Sequence, residues 1–361
     1  MGKKIKLMII DDSLLIRQVL TKELSKFPDM EIVAQASNPI EAKPLILKHK
    51  PDVITLDVEM PKMDGITFLS ILQKFYPVPV VMLSTLTEQG SELAIEALKK
   101  GAVEIMHKPA GGSFLALNKV MDEIAFKIRS AAASKKAIIR PIDKSKLLSL
   151  GGISGSSKLI IAIGASTGGT EALRFLFKHL PGNLAPIVIT QHMPETFTGS
   201  FANSLDANSQ VCVRECKDSI ELKQGVAALA RGGRHMILRK TIKGYQAVSV
   251  EGEPVCHQCP SVDVMFDSVA KVAGENAIGI ILTGMGSDGA RGMLAMRNKG
   301  AFTIAQDEDS CVVFGMPKEA IALGGAMHVL PLDKIPSAII SAVKLKSKKQ
   351  SVRKSSVLAA K

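Results

Sequence analysis

Tryptophan is absent from the 361 residues, tyrosine occurs twice and aromatics make up 4% of the chain. The core must therefore come from Ile, Val, Leu, Ala and Met, and at 46% hydrophobic residues the composition fits α/β domains. No apolar run is long enough to span a bilayer, so no direct membrane insertion is expected. Met1-Gly-Lys-Lys-Ile runs straight into a strand pattern rather than a signal peptide, and the expected location is the cytoplasm. Five cysteines in that setting argue against a disulfide framework. Cys212 and Cys216 with Cys256 and Cys259 can be written as a four-thiolate zinc site, though the gap between the pairs is longer than in common zinc ribbons. Cys256-His-Gln-Cys259, ahead of a helix near Ser261, is also compatible with a redox pair. Ordinary buried or loop thiols are the plainer alternative.

The formal charge of +12 raises the question of nucleic acid. Its distribution answers against it. Seven basic residues and no acidic ones lie between Lys344 and Lys361, and seven basic residues against Asp143 alone lie between Lys127 and Lys146. Those two stretches carry the whole excess, and the remainder is close to neutral. With no zinc finger, helix-turn-helix or aromatic–basic interleaving, no nucleic-acid partner is expected.

The length suggests two domains. Over the first third, strands and helices alternate strictly. Strand patterns at Ile5–Ile10, Glu31–Gln35, Val53–Leu56, Val78–Leu83 and Ala102–Met106 are separated by helical spacings, which predicts a doubly wound parallel sheet. Asp11, Asp12, Asp57, Ser84 and Lys108 each fall at or just after the C-terminal end of a strand, where such sheets converge on one cleft. Clustered carboxylates demand a cation, and hard oxygen ligands favour Mg²⁺, held by Asp11, Asp12 and Asp57. A phosphoryl group on Asp57 would be neutralised by Mg²⁺ and Lys108 and would accept a hydrogen bond from Ser84. Helix-capping aspartates and a surface lysine are the bland alternative, but five such residues on successive strands exceed coincidence.

The motifs Asp11-Asp12, Leu56-Asp57-Val-Glu-Met-Pro-Lys-Met-Asp-Gly65, Met82-Leu-Ser84 and Lys108-Pro109 resemble those of response-regulator receiver domains. The resemblance implies a flavodoxin-like domain over residues 1–126, phosphorylated at Asp57 by a histidine kinase. Ile105 stands where many receivers carry a switch aromatic. A basic, breaker-rich linker is expected over 127–156, where Gly151-Gly-Ile-Ser-Gly-Ser-Ser157 and Arg140-Pro141 are small and polar.

Beyond it, Leu159–Ala165 reads as a buried strand that turns through Ser166-Thr-Gly-Gly169 into a helix. That turn would expose a serine hydroxyl beside N–H groups at a helix N-terminus. A phosphate-cradling loop or a plain tight turn fits the same letters. Pro186–Thr190 is another apolar strand with His192 just after it, and Ala277–Leu282 a third, running into Thr283-Gly-Met-Gly-Ser-Asp288-Gly. A serine, a histidine and an aspartate thus follow three buried strands, the set that nucleophilic acyl transfer requires. His192 could instead be structural and Asp288 a helix cap. His235, His257 and His328 compete for the role of base, and the order Ser–His–Asp differs from that of α/β-hydrolases.

Ile163-Gly-Ala-Ser166-Thr-Gly-Gly169, Gln191-His192-Met193, Gly233-Arg-His-Met236, Pro260-Ser-Val-Asp-Val264 and Leu282–Gly289 are similar to the catalytic domain of the chemotaxis protein-glutamate methylesterase family. Arg231 departs from the proline usual there. The resemblance implies a Rossmann-like serine hydrolase over 157–346 with a basic tail at 347–361, and a triad of Ser166, His192 and Asp288. Hydrolysis of glutamate γ-methyl esters on methyl-accepting chemoreceptors would follow, together with glutamine deamidation and no cofactor for the ester chemistry. Oxyanion donors are expected at the backbone of Thr167 and Met285. The chemotaxis histidine kinase would be the phosphodonor. The rival reading is a response regulator whose second domain acts only by binding protein.

Overall fold

A computed structural model describes residues 3–84, 88–108, 114–135, 137 and 158–359. Pro109 and most of the expected linker, including Gly151–Ser157, lie outside the described residues. The chain divides into two compact units, Met1–Ser134 and Lys135–Lys361.

The first unit runs β1 (Ile5–Ile10), α1 (Leu14–Leu24), β2 (Met30–Ala36), α2 (Pro39–His49), β3 (Val53–Asp57), α3 (Gly65–Phe75), β4 (Val80–Ser84), α4 (Glu88–Lys99), β5 (Glu104–His107) and α5 (Phe114–Ala132). The strands form one parallel sheet in the order β2-β1-β3-β4-β5. Every residue of β3 and β4 is buried, as a sheet covered on both faces requires. The helices start sharply because a polar side chain caps them: Ser13 accepts from Ile16 N–H, Asn38 from Ile40 and Glu41, and Asp64 from Thr67. The strand order reverses between β1 and β3, which puts the crevice at the ends carrying Asp11 and Asp57.

Helix α5 continues past the expected boundary at 126, and Lys127 is not a linker charge. It is buried and pairs with Glu104 at 3.0 Å, while Arg129 grips both oxygens of Asp29 at 2.7 and 3.0 Å. Counting charges along the chain could not see these partners, which lie 23 and 100 positions away.

The second unit contains β6 (Ile160–Ala165), α6 (Gly169–His179), β7 (Ile187–Gln191), α7 (Glu195–Asp206), β8 (Cys212–Cys216), β9 (Ser219–Leu222), β10 (Val226–Ala230), β11 (His235–Thr241), β12 (Gly244–Val250), α8 (Val262–Ala273), β13 (Ala277–Ile281), α9 (Ala290–Asn298), β14 (Phe302–Gln306), α10 (Met316–Ala322), β15 (His328–Leu330) and α11 (Ile335–Ala359). Seven strands make a parallel sheet ordered β15-β14-β13-β6-β7-β10-β8. An antiparallel sheet, β11-β12-β9, stands beside it as a feature the sequence reading did not anticipate. Its signal was the clean alternation of Gly244–Val250, buried at every second residue. One core joins the two sheets: Met236, Leu238 and Ala247 pack with Val262, Phe266 and Val269 of α8 and with Ile160 and Ile281. Helix α11 runs through the expected start of the tail at 347 and reaches Ala359. Among the described residues no helix is long and apolar enough to cross a membrane.

Candidate functional site

In the first unit the carboxylates of Asp11, Asp12 and Asp57 offer oxygens that all lie within 4.8 Å of one another. Asp11 and Asp57 are buried at the ends of β1 and β3, and Asp12 is exposed. Lys108 Nζ reaches both buried carboxylates, at 2.6 Å from Asp57 and 3.1 Å from Asp11. The Lys108 N–H donates to the carbonyl of Ser84 at 2.9 Å, which sets the lysine beside the buried serine at the end of β4. Burial pushes the Asp57 carboxyl up to about 7 despite the attraction of Lys108, and the charge of Asp11 adds to the rise. Burial also works against the Lys108 ammonium, but Asp57 and Asp11 hold it above its ordinary range. A buried carboxylate that resists ionising, among further hard oxygens, suits a divalent cation such as Mg²⁺. A cleft of about 440 Å³ lined by Asp12, Glu59, Met60 and Asp64 adjoins the cluster. Ile105 is buried in β5.

In the second unit β6, β7 and β13 are adjacent, so Ser166, His192 and Asp288 lie beyond neighbouring strands of one sheet. Backbone bonds tie the three strand ends together: Ser166 N–H donates to Thr283 O at 3.0 Å, and His192 N–H donates to Ala165 O at 3.0 Å. Gly284 must be glycine, because a Cβ there would stand 2.6 Å from Ser166 Cβ. Gly168, at φ 75°, makes the left-handed step that starts α6 with no side-chain cap.

His192 Nε2 meets Asp288 Oδ2 at 2.8 Å, with both side chains nearly fully buried. Asp288 also accepts from Ser261 Oγ at 2.7 Å, Val262 N–H at 2.7 Å and Asp263 N–H at 3.0 Å. Burial alone would raise its pKa. The bonds and charge of His192 and the donors at the start of α8 outweigh that and hold the carboxyl below its ordinary range. Asp288 is therefore a carboxylate, and Nε2 must carry the imidazole proton towards it. The lone pair is left on Nδ1. His192 Nδ1 and Ser166 Oγ are both buried without a hydrogen-bond partner, and each is what the other lacks. The imidazole thus turns Nε2 to its carboxylate, where chymotrypsin-type triads use Nδ1.

Two of the competing histidines, His235 and His328, are engaged elsewhere. His235 donates from Nε2 to Glu253 O at 2.9 Å and accepts the Ser261 N–H on Nδ1 at 3.1 Å. His257 sits in a tight turn at φ 63°, and His328 lies on edge strand β15 with its ring 4.8 Å from that of Phe302. Sequence reasoning missed Gln191, whose Nε2 donates to Ser166 O at 2.9 Å and His192 O at 3.2 Å. Its position directly before His192, at the end of a buried strand, was the available signal. Arg231 pairs with Glu195 at the start of α7.

Among the described residues Cys212, Cys216, Cys256 and Cys259 are not gathered into one ligand cluster. Cys256, Asp263 and Asp288 do lie close enough to hold a metal. Their atoms are taken, however: Arg291 reaches Asp263 at 3.3 Å and Cys256 Sγ at 3.9 Å, and Asp288 already accepts four bonds. None of the five cysteines is joined in a disulfide.

A doubly wound unit with an acidic cluster and a lysine at its strand ends is thus joined to a parallel-sheet unit that buries a serine, a histidine and an aspartate at one edge. The response regulator receiver domain matches residues 7–118 and the CheB methylesterase family matches 161–339. The chain is 49% identical over 340 residues to the protein-glutamate methylesterase/protein-glutamine glutaminase of Bordetella parapertussis, covering 94% of this chain and 97% of that one. Its counterpart from Salmonella typhimurium is 47% identical over the same shares. The crystal structure of the Thermotoga maritima CheB methylesterase catalytic domain matches with a TM-score of 0.50 and 39% identity, covering 53% of this chain and all of that one. The chain belongs to the protein-glutamate methylesterase/protein-glutamine glutaminase family.

Proposed function

We propose that this chain hydrolyses glutamate γ-methyl esters, and deamidates glutamines, on methyl-accepting chemoreceptors, under the control of phosphorylation at Asp57. The observation that carries the reading is the pair of buried, unpartnered atoms, Ser166 Oγ and His192 Nδ1, backed by the His192–Asp288 bond at 2.8 Å. Ser166 Oγ attacks the ester carbonyl while His192 Nδ1 takes its proton. The tetrahedral oxyanion is received by backbone N–H groups of Thr167, which follows the serine, and of Met285, which follows Gly284 at Ser166. Collapse expels the methoxy group, which leaves as methanol with the proton from His192. Water, deprotonated by the same Nδ1, then attacks the acyl-enzyme to give glutamate and free Ser166. With a glutamine the leaving group is ammonia. Asp288 stays ionised and stabilises the imidazolium in each half-reaction.

In the first unit Asp57 accepts the phosphoryl group from a histidine kinase, and Lys108 and Ser84 contact its oxygens. Asp11, Asp12 and Asp57 would hold Mg²⁺, which when bound offsets the charge of carboxylates and phosphate. The ester chemistry uses side chains and backbone alone. The reading places the protein in the cytoplasm, where receptor tails and kinase are found, with no nucleic-acid partner. Methanol release from a methylated receptor, with and without a small-molecule phosphodonor, tests it. Release stimulated by the phosphodonor is expected, and a protein that binds the receptor but releases no methanol would leave only a binding role.

A further inference from the structure

The bonds behind Asp288 continue beyond Ser261 to a second buried histidine that the ester chemistry does not use. His235, the first residue of β11, is 4% exposed. Each of its ring nitrogens meets a partner with only one possible role. The Glu253 carbonyl can only accept, so Nε2 carries the proton, and the Ser261 N–H can only donate, so Nδ1 offers its lone pair. The ring is thereby a neutral imidazole of fixed tautomer. Gly252 closes over it: a Cβ there would stand 2.8 Å from His235 Cδ2.

What His235 holds is the first turn of α8. Ser261 is the N-cap of that helix, accepting from Val264 N–H on the same oxygen that donates to Asp288. Three of the four bonds to Asp288 come from Ser261, Val262 and Asp263, so the place of the carboxylate is set by where this turn sits. The Ser261 N–H to His235 Nδ1 bond ties the cap itself to the antiparallel sheet, beside the Gly233 N–H bond to Cys259 O at 3.0 Å and the Leu238 N–H bond to Ser268 Oγ at 2.9 Å. A strand on one sheet, through one helix cap, thus fixes the acid of a site built on the other.

We propose that His235 is a positioning residue for the triad, holding Ser261, and through it Asp288, in register with His192. The proposal rests on the assignment of Ser166, His192 and Asp288 made above. It explains why Gly233-Arg-His-Met236 and Pro260-Ser-Val-Asp, far from any nucleophile in the chain, converge beside the site.

The test compares His235→Ala, His235→Leu and His235→Asn in the whole chain by methanol release from a methylated receptor. Alanine removes the acceptor for the Ser261 N–H, and leucine removes it while filling the space. Asparagine restores an acceptor oxygen near the place of Nδ1. A displaced reacting group lowers turnover by about 10- to 100-fold, so kcat should fall by that much in the alanine and leucine variants. KM should stay within about threefold, and asparagine should recover most of the loss. Equal impairment of leucine and asparagine would show that only the ring's shape matters, and unchanged kcat in either acceptor-free variant would show no positioning role. Both results overturn the proposal. Should alanine not fold, leucine against asparagine decides alone. Ser166→Ala, run alongside, separates the readings: if it is inactive while His235→Leu is normal, His235 alone was misassigned. If Ser166→Ala is active, the triad and the proposal fall together.

Discussion

Replacing Asp57 by asparagine should stabilise the first unit at alkaline pH in metal-free buffer. Burial holds the Asp57 carboxyl at about 7 against an ordinary 3.8. A raised acid means that the folded state disfavours ionisation. The cost is absent below pH 4, grows between pH 4 and 7, and is complete above 7. At 1.36 kcal/mol per pKa unit, the gap corresponds to about 4 kcal/mol as an upper bound. Asparagine removes the cost but also the 2.6 Å ion pair with Lys108, so a gain of roughly 1–4 kcal/mol at pH 8 is expected. At pH 5 the gain should shrink by more than half. Urea unfolding of the whole chain, followed by hydrogen exchange at the amides of β1 and β3, isolates this unit. Mg²⁺ at pH 8 should stabilise the aspartate form more than the asparagine form. No gain at pH 8, or a gain as large at pH 5 as at pH 8, would refute the reasoning.

Three further outcomes are expected. Asp288→Asn should lower kcat by roughly 10³- to 10⁴-fold in the methanol assay, less than loss of Ser166 or His192, because it orients the base rather than reacting. Gln191→Leu removes donors from the Ser166 and His192 carbonyls, but Ser166 O keeps its 2.7 Å bond from Gly169 N–H. With one carbonyl left short, thermal unfolding should register about 1–3 kcal/mol of destabilisation, and kcat should fall with it. Lys127→Met takes the ammonium 3.0 Å from the buried Glu104 carboxylate and should lower stability in denaturant unfolding by up to about 3–5 kcal/mol, part of it recovered by adding Glu104→Leu.

The first sheet was legible, and of the second β6, β7 and β13, because those strands are continuous apolar runs with polar residues stationed beyond their C-terminal ends; β8, β10, β14 and β15 went unanticipated, β8 and β15 being mixed in burial. Ser166 and His192 were legible for the same reason, each directly following such a run, and Asp288 lies in the loop that leaves a third. The helper residues were not. Gln191 acts through a side chain turned across its own strand end and the neighbouring one, and His235 and Ser261 meet across 26 positions, a strand against a helix cap. No local spacing encodes those meetings. Strands β9, β11 and β12 were passed over because none is a fully buried apolar run, β12 alternating buried with half-buried residues. Lys127 and Arg129 read as linker charges because their partners come from β5 and from the turn before β2.

The central claim is that Ser166 forms the acyl-enzyme. Methanol release from a methylated receptor by Ser166→Ala, with phosphorylation of Asp57 measured in the same preparation, tests it most directly. The account predicts loss of methanol release by a factor of about 10⁶ with normal phosphate uptake, since the two sites belong to separate sheets. Near wild-type release by that variant would contradict it.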